Sequence, residues 1–262
     1  MNSKFTILTA SYNHKKYLKD WAKSVLSQTY RPLEVVFVDD HSDTKDIEEA
    51  EKYREEFENA GIEFITYRNE ENLHCASTYI KALELATGDF FGVLDSDDSL
   101  FSHAVEDVMH IYSHRPEIGY IYTQFDWCDI NLKRKRTGFS KMPPTSKGIL
   151  AGEFTEQARH VYSHWRTFSN RVPDVASIFH PNRKCSIDKY MGYRLEELAP
   201  GMFYKKVCYK YRAGVKQGIT KSHNSIAEWK KVRSEAHSRR KRFRIKRIYP
   251  IVLHKQFTLK PD

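Results

Sequence analysis

Four short β-rich runs within the first hundred residues, alternating with helical patterns and ending in small polar or acidic residues, restrict this chain more than any other feature. Phe5 to Ala10 is followed by Leu18, Trp21, Ala22, Val25 and Leu26, the i, i+3, i+4, i+7, i+8 spacing of one buried helix face, which Arg31-Pro32 stops. Leu33 to Val38 runs into Asp39-Asp40-His41-Ser42 and an acidic helix expected from Thr44 to Ala60, closed by Gly61. Ile62 to Tyr67 reads as a third strand, and Ala76, Tyr79, Ile80 and Leu83 mark a helix face with Gly88 as its natural stop. Phe90 to Leu94 is the fourth strand and ends in Asp95-Ser96-Asp97-Asp98. The alternation predicts an α/β fold: a Rossmann-type, mostly parallel sheet with helices on both faces and right-handed crossovers.

Ligands of such sheets bind beyond the carboxyl ends of the strands. Three of the four ends carry Thr9-Ala10-Ser11-Tyr12-Asn13, Asp39-Asp40 and Asp95 to Asp98. Any one of these reads equally well as a solvated turn or helix cap, but three converging on one edge argue for a site. After Asp98 the pattern loosens into a helix from Leu100 to His114, a β-rich stretch from Ile118 to Trp127 and a basic loop, Lys133 to Arg136. Pro143-Pro144 to Gly152 reads as an irregular connector, Asp188 to Leu198 as a helix and Met202 to Tyr211 as a strand. His164, Trp165 and Arg166 fit either an acceptor cleft or simple packing. The division expected is a ligand-binding half over 1–100, a second half of the same domain over 101–222, and a basic tail over 223–262.

Charge narrows the partners. Lys230 to Arg247 holds ten bases and one acid, and since the chain has 43 Lys+Arg and 34 Asp+Glu, the remainder carries 33 of each. A neutral body makes specific nucleic-acid binding a poor reading. No apolar stretch approaches the ~18 residues of a membrane span, and Met1-Asn2-Ser3-Lys4 leads directly into the first strand, so a cytoplasmic or membrane-peripheral location is expected. Cys75, Cys128, Cys185 and Cys208 include no C-x-x-C pair and read as ordinary buried thiols.

A nucleotide at the sheet edge needs its phosphates neutralised. Dinucleotide folds and phosphate-loop enzymes use glycine-rich turns after the first strand, whereas the first glycine here is Gly61. The remaining device is a divalent cation among carboxylates, with hard oxygen donors suited to Mn²⁺ or Mg²⁺. Asp95-Ser96-Asp97 has that form.

Five strings occur in order: Thr9 to Asn13, Ser24 to Tyr30 (SVLSQTY), Glu34 to Ser42 (EVVFVDDHS), Ala86-Thr87-Gly88-Asp89, and Leu94 to Asp98 (LDSDD). Together they resemble the N-terminal half of family 2 glycosyltransferases of GT-A fold. Farther on, Ser186 to Leu195 (SIDKYMGYRL) resembles the acidic helix that supplies the family's catalytic base, and Tyr211-Arg212 resembles the pair that closes its core. The likeness runs from about residue 4 to 212. It implies an inverting transfer from a nucleotide-sugar donor, a UDP-sugar in the first instance, to a hydroxyl of a glycan or lipid-linked acceptor, in polysaccharide biosynthesis.

Carried across, the likeness implies that Thr9, Ala10, Ser11, Tyr12 and Asp40 meet base and ribose, with Asp39 adjacent and Ser96 in the D-x-D turn. Asp97 becomes the principal metal ligand, Asp95 a ligand of metal or ribose, Asp188 the base. His223 is a candidate further ligand, with an exposed loop histidine as the alternative. The family's Arg-Asn pair before the D-x-D is Tyr79-Ile80 here, and its Glu-Asp base motif is Ile187-Asp188. Two competing readings are a catalytically decayed sugar-nucleotide binder and a metal-dependent phosphotransferase, since D-x-D-D-S is weakly similar to the dehalogenase-like motif, although that motif belongs to a first strand. The basic residues and the apolar Ile248 to Leu253 suit an anionic membrane surface over Lys230 to Leu253. A solvated C-terminus is the alternative.

Overall fold

Hydrophobic side chains on both faces of the first strands require cover on both sides, and the chain supplies it. The structure is a computed structural model that describes residues 2–138, 140, 163–215 and 224–242. Strands β1 (Phe5–Ser11), β2 (Leu33–Asp39), β3 (Ile62–Arg68) and β4 (Phe90–Val93) pair in parallel, with Phe5 opposite Leu33 and Phe90, and Ser11 opposite Asp39. All of β2 is buried, as its unbroken Val-rich run demands.

Odd-numbered residues Phe5, Ile7, Val35 and Phe37 enter one core with Trp21 and Val25 of α1 (Leu18–Leu26), Ala50 of α2 (Asp46–Glu51) and Phe57 of α3 (Arg54–Asn59). Even-numbered Leu8, Val36 and Val38 enter the other, with Tyr79 and Ala82 of α4 (His74–Leu85). The period of two along each strand thus divides the core into two layers. The acidic helix expected over Thr44 to Ala60 is two helices, because a tight turn at Lys52-Tyr53 directs both Ala50 and Phe57 inward.

The second half extends the same sheet. After the short β5 (Ser99–Leu100) and α5 (Ala104–His114) come β6 (Tyr120–Cys128), β7 (Arg134–Thr137), β8 (Arg166–Ser169), α6 (Ile187–Leu198), β9 (Gly201–Arg212) and α7 (Asn224–Arg242). Among the described residues the order is β3-β2-β1-β4-β8-β6-β9-β5, with β7 hydrogen-bonded to β6. β8 is antiparallel to both neighbours, whereas β6 and β9 run parallel. The basic loop expected at Lys133 to Arg136 is largely strand β7. Its bases are exposed on a hairpin edge, where Arg134 Nε meets Asp126 Oδ1 at 3.0 Å and the Arg136 guanidinium lies 4.8 Å from the Trp127 ring centre.

Gly92 of β4 is required by this insertion. A Cβ there would stand 2.4 Å from Cζ2 of Trp165 and 2.9 Å from Cζ of Phe5, both fully buried rings. Gly92→Ala is therefore expected to destabilise the fold by ~1–3 kcal/mol, several degrees in Tm. An unchanged thermal melt would mean that the rings have room to retreat.

The stretch read as a basic tail starts as structure. α7 lies on α6, with Val232 and Ala236 buried against Tyr190 and Tyr193. Residues 243–262 lie outside the described residues, as does the proline-rich connector at 143–152.

Candidate active site

The loops after β1 and β2 are built by the carboxylates of Asp39, Asp40 and Asp46, which hold the fold as well as bordering its edge. Asp39 is fully buried. Its Oδ1 accepts from Ser42 N at 3.1 Å and its Oδ2 from Arg68 Nη1 at 3.2 Å, and burial outweighs these bonds to push its carboxyl above the usual range. Asp40 takes both Asn69 Nδ2 and Leu73 N on Oδ1, each at 2.8 Å, while its Oδ2 accepts no hydrogen bond from the described residues. Thr9 turns its hydroxyl into the core, where it accepts from Trp21 Nε1 at 3.0 Å, so only its main chain borders the site. Ser11 Oγ donates to Asp46 at 2.6 Å, and the same carboxylate accepts from the backbone of His14 and Lys15. Tyr12 is 41% exposed at the mouth, where a flat base could lie on it, and Ala10 is half-buried beside it. Where other nucleotide folds place glycines, Asn13 and His41 adopt φ of 58° and 61°, and Asn13 Oδ1 braces the second loop through Asp43 N at 2.9 Å.

The Asp95 to Asp98 turn separates into distinct roles. Asp98 is buried, its two oxygens held by Tyr209 Oη at 2.7 Å and Arg212 N at 2.6 Å; burial, Asp97 and Asp95 together push its carboxyl well up. Asp95 Oδ1 accepts from Tyr79 Oη at 2.7 Å. Tyr79 therefore orients this carboxylate from α4. Asp97 accepts no hydrogen bond from another described residue, and His14 Nδ1 lies 4.0 Å from its Oδ1. Burial pushes the Asp97 carboxyl up, His14 acts in the opposite sense, and Asp95 adds repulsion. Ser96 is buried and bonds His14 Nδ1 at 2.9 Å through Oγ, which ties the β4 turn to the β1 loop. Arg212 closes the back of the turn. Its guanidinium reaches Asp97 O and Ile130 O at 2.5 Å each and Asp20 Oδ2 at 2.8 Å, and lies 4.7 Å from the Tyr17 ring centre.

The first turn of α6 carries Asp188. The Asp188 side chain is 43% exposed, with Lys189 Nζ at 3.5 Å. Partial loss of water around it works to raise its pKa, but Lys189, Arg166 and His164 more than offset this and hold the carboxyl below its ordinary 3.8. His164, sandwiched by Tyr209 at 4.6 Å and Tyr211 at 5.2 Å, is driven down to about 3 by burial and by Arg166, whose Nη2 lies 3.1 Å from its Nδ1. Both Asp95 and Asp188 act electrostatically on His164, and Asp40, Asp95 and Asp188 all act on Cys75 at the start of α4. The ends of β2 and β4 and the start of α6 thus bring their carboxylates near one another, and the Ser96–His14 bond joins the β1 loop to them. Trp165, by contrast, is fully buried and belongs to the core, and His223 lies outside the described residues.

The residues fit a divalent cation. Three carboxylates crowd one turn, two of them with their pKa pushed up, and a hard cation among them would relieve that repulsion. Ligand atoms of Asp95, Asp98 and His164 lie within 4.8 Å of one another, a candidate donor group among the described residues that does not include Asp97. His14, Asp46, Arg68 and Tyr209 are the contributors that sequence reasoning missed. Each is a single polar residue without a spacing signal, recognisable only from what it touches.

Residues 6–172 match the family model described as glycosyl transferase family 2. The chain is 28% identical over 207 residues to chondroitin synthase of Escherichia coli, an alignment that covers 78% of this chain and 28% of the synthase. Its fold is similar to S. aureus TarS in complex with UDP-GlcNAc, with a TM-score of 0.69 and 17% identity over 87% of this chain and 64% of that one. It is also similar to the mannosyltransferase PcManGT from Pyrobaculum calidifontis in complex with GDP-Man and Mn²⁺, with a TM-score of 0.61 and 14% identity over 95% and 66% of the two chains. The chain therefore spans under a third of the synthase and just under two thirds of TarS.

Proposed function

Because this chain belongs to glycosyl transferase family 2, we propose that it is an inverting, metal-dependent hexosyltransferase that moves a sugar from a UDP-sugar to a hydroxyl of a glycan or lipid-linked acceptor. The observation that carries the reading is the Asp95-Ser96-Asp97 turn at the carboxyl end of β4, where Asp97 accepts no hydrogen bond from another described residue while Asp95 and Asp98 are held by tyrosines. The bound UDP-GlcNAc of TarS and the GDP-Man and Mn²⁺ of PcManGT support a nucleotide-sugar donor and a metal. The glycan product named for chondroitin synthase supports the acceptor class.

Base and ribose lie against Tyr12, Ala10, Ser11 and Asp40, while Asp39, bonded to Arg68 and Ser42, keeps the β2 turn in shape. Asp97, with Asp95 beside it, holds Mn²⁺ or Mg²⁺, which supplies charge stabilisation for the departing diphosphate. Asp188 accepts the proton of the acceptor hydroxyl as that oxygen attacks the anomeric carbon from the face opposite the diphosphate. Its low pKa keeps it ionised at neutral pH, and contact with the hydroxyl is the first requirement of a base. A panel of UDP- and GDP-sugars, assayed for slow hydrolysis and for transfer with Mn²⁺, tests the reading. Donor binding without turnover of any sugar would favour the decayed binder instead.

The same reading extends to a membrane surface. On α7, Lys230 and Lys231 are exposed, while both acids of the helix, Glu228 and Glu235, pair inward with Arg183. No helix among the described residues is long and apolar enough to cross a membrane. Lys230 to Leu253 would therefore meet anionic lipid peripherally, at about 1 kcal/mol per base near the surface. Full-length protein is expected to co-sediment with anionic but not neutral vesicles, and a form ending at Arg242 with Lys230→Glu and Lys231→Glu to remain in the supernatant. Equal sedimentation of the two forms on anionic vesicles would end the membrane role.

A further inference from the structure

We propose that Arg183 is a positioning residue for Asp188, and that α7 acts through it to hold the catalytic end of α6. This rests on the reading of Asp188 as the base. Arg183 is 5% exposed, and its guanidinium donates from Nη1 to Glu228 Oε1 at 2.5 Å and from Nη2 to Glu235 Oε2 at 2.6 Å. The two glutamates are seven residues apart, on one face of α7. The guanidinium also lies 4.8 Å from the ring centre of Tyr190 in the first turn of α6. Arg239 of α7 sits 5.3 Å from the same ring and reaches Glu197 at the far end of α6 at 3.1 Å. Tyr190, Tyr193, Val232 and Ala236 form a small cluster separate from the two main cores, so the α6–α7 pair has its own seam.

The position of this ion pair gives it its consequence. Arg183 lies five residues before Asp188, and between them Ser186 turns the chain into α6 with a left-handed φ of 55°. On its other side the loop is fastened to α4, where Ser77 Oγ donates to Pro181 O at 2.8 Å. α4 also carries Tyr79, which orients Asp95. The Asp188 loop is therefore held between the helix that sets the donor-side carboxylate and the helix that closes the chain's described part. A buried guanidinium shared by two carboxylates has a fixed geometry, and loss of the cation leaves two negative groups at the seam without their partner.

Arg183→Met is expected to lower kcat for transfer by ~10–100-fold, the scale of a misplacement near 1 Å, with the donor KM within ~2-fold of wild type. Cys185, half-buried in the loop, should be alkylated by iodoacetamide roughly tenfold faster, since its protection depends on local opening; peptide mass spectrometry distinguishes it from Cys75. Arg183→Lys should recover part of both effects. Because Arg183→Met removes a buried charge, Glu228→Gln and Glu235→Gln are measured beside it as milder breaks of the same clamp. Wild-type kcat and wild-type Cys185 labelling in both glutamine variants would overturn the proposal. So would a donor KM that rises as kcat falls, which marks general disorder of the cleft. Should no form transfer sugar, the base reading fails, and Cys185 labelling still decides the clamp.

Discussion

Asp97→Ala is expected to abolish most of the metal-dependent affinity for a UDP-sugar and to lower transfer by ~10²–10³-fold, equivalent to several kcal/mol of charge stabilisation. Asp97 is singled out because its neighbours are engaged. Asp98 has both oxygens held by Tyr209 and Arg212, and Asp95 is held by Tyr79, whereas Asp97 accepts from no other described residue. In wild type, calorimetry should show much tighter UDP-sugar binding with Mn²⁺ or Mg²⁺ than with EDTA. Asp98→Asn makes the contrast: it should lower the Tm through the Tyr209 and Arg212 contacts while donor binding keeps its response to metal. Equal affinity in Mn²⁺ and EDTA, or wild-type affinity in Asp97→Ala, would remove the metal from the mechanism.

The second large effect is expected at Asp188. Asp188→Asn should leave UDP binding nearly intact and reduce transfer by ~10²–10⁴-fold, the range for loss of a general base. The pH dependence carries a sign that can be checked. Burial raises the pKa of this carboxyl, but Lys189, Arg166 and His164 bring it below 3.8, so the ionised, proton-accepting form persists throughout the neutral range. Activity dependent on it is present above about that pH and disappears only as the pH falls through the folded-state pKa. A loss of kcat on acidification from pH 7 to 5 must then come from another group. The contribution of Asp188 to stability has the same direction, present above its unfolded pKa and lost below the folded one, and for a partly exposed helix-terminal acid it amounts to about 1 kcal/mol or less. A variant that melts lower yet transfers at the wild-type rate would reduce Asp188 to a helix-end charge.

Much of the fold's first half was legible in the chain itself. Val35 to Val38 has to be a doubly buried strand, and Leu18, Trp21 and Val25 have to share a helix face, because local periodicity records which side chains leave water. The five motifs likewise identified the family, and the turn after β4 announced a carboxylate site. The sequence could not divide labour within that turn. Tyr209 and Arg212 lie 111 and 114 residues from Asp98, and no local pattern encodes so distant a pairing. For the same reason Thr9 read as a ligand contact when its hydroxyl belongs to Trp21, and His14 and Asp46 passed unnoticed although they tie the loops together. The basic stretch shows the division most clearly. Its charge was plain from composition, but the docking of α7 on α6 depends on Arg183 meeting Glu228 and Glu235 across 45 and 52 residues. Sequence determined the elements and their chemistry through short-range burial patterns. Tertiary structure alone decided which carboxylates of the β4 turn are held by the fold and which accepts no hydrogen bond from it, because that choice is made by side chains brought together only when the sheet closes.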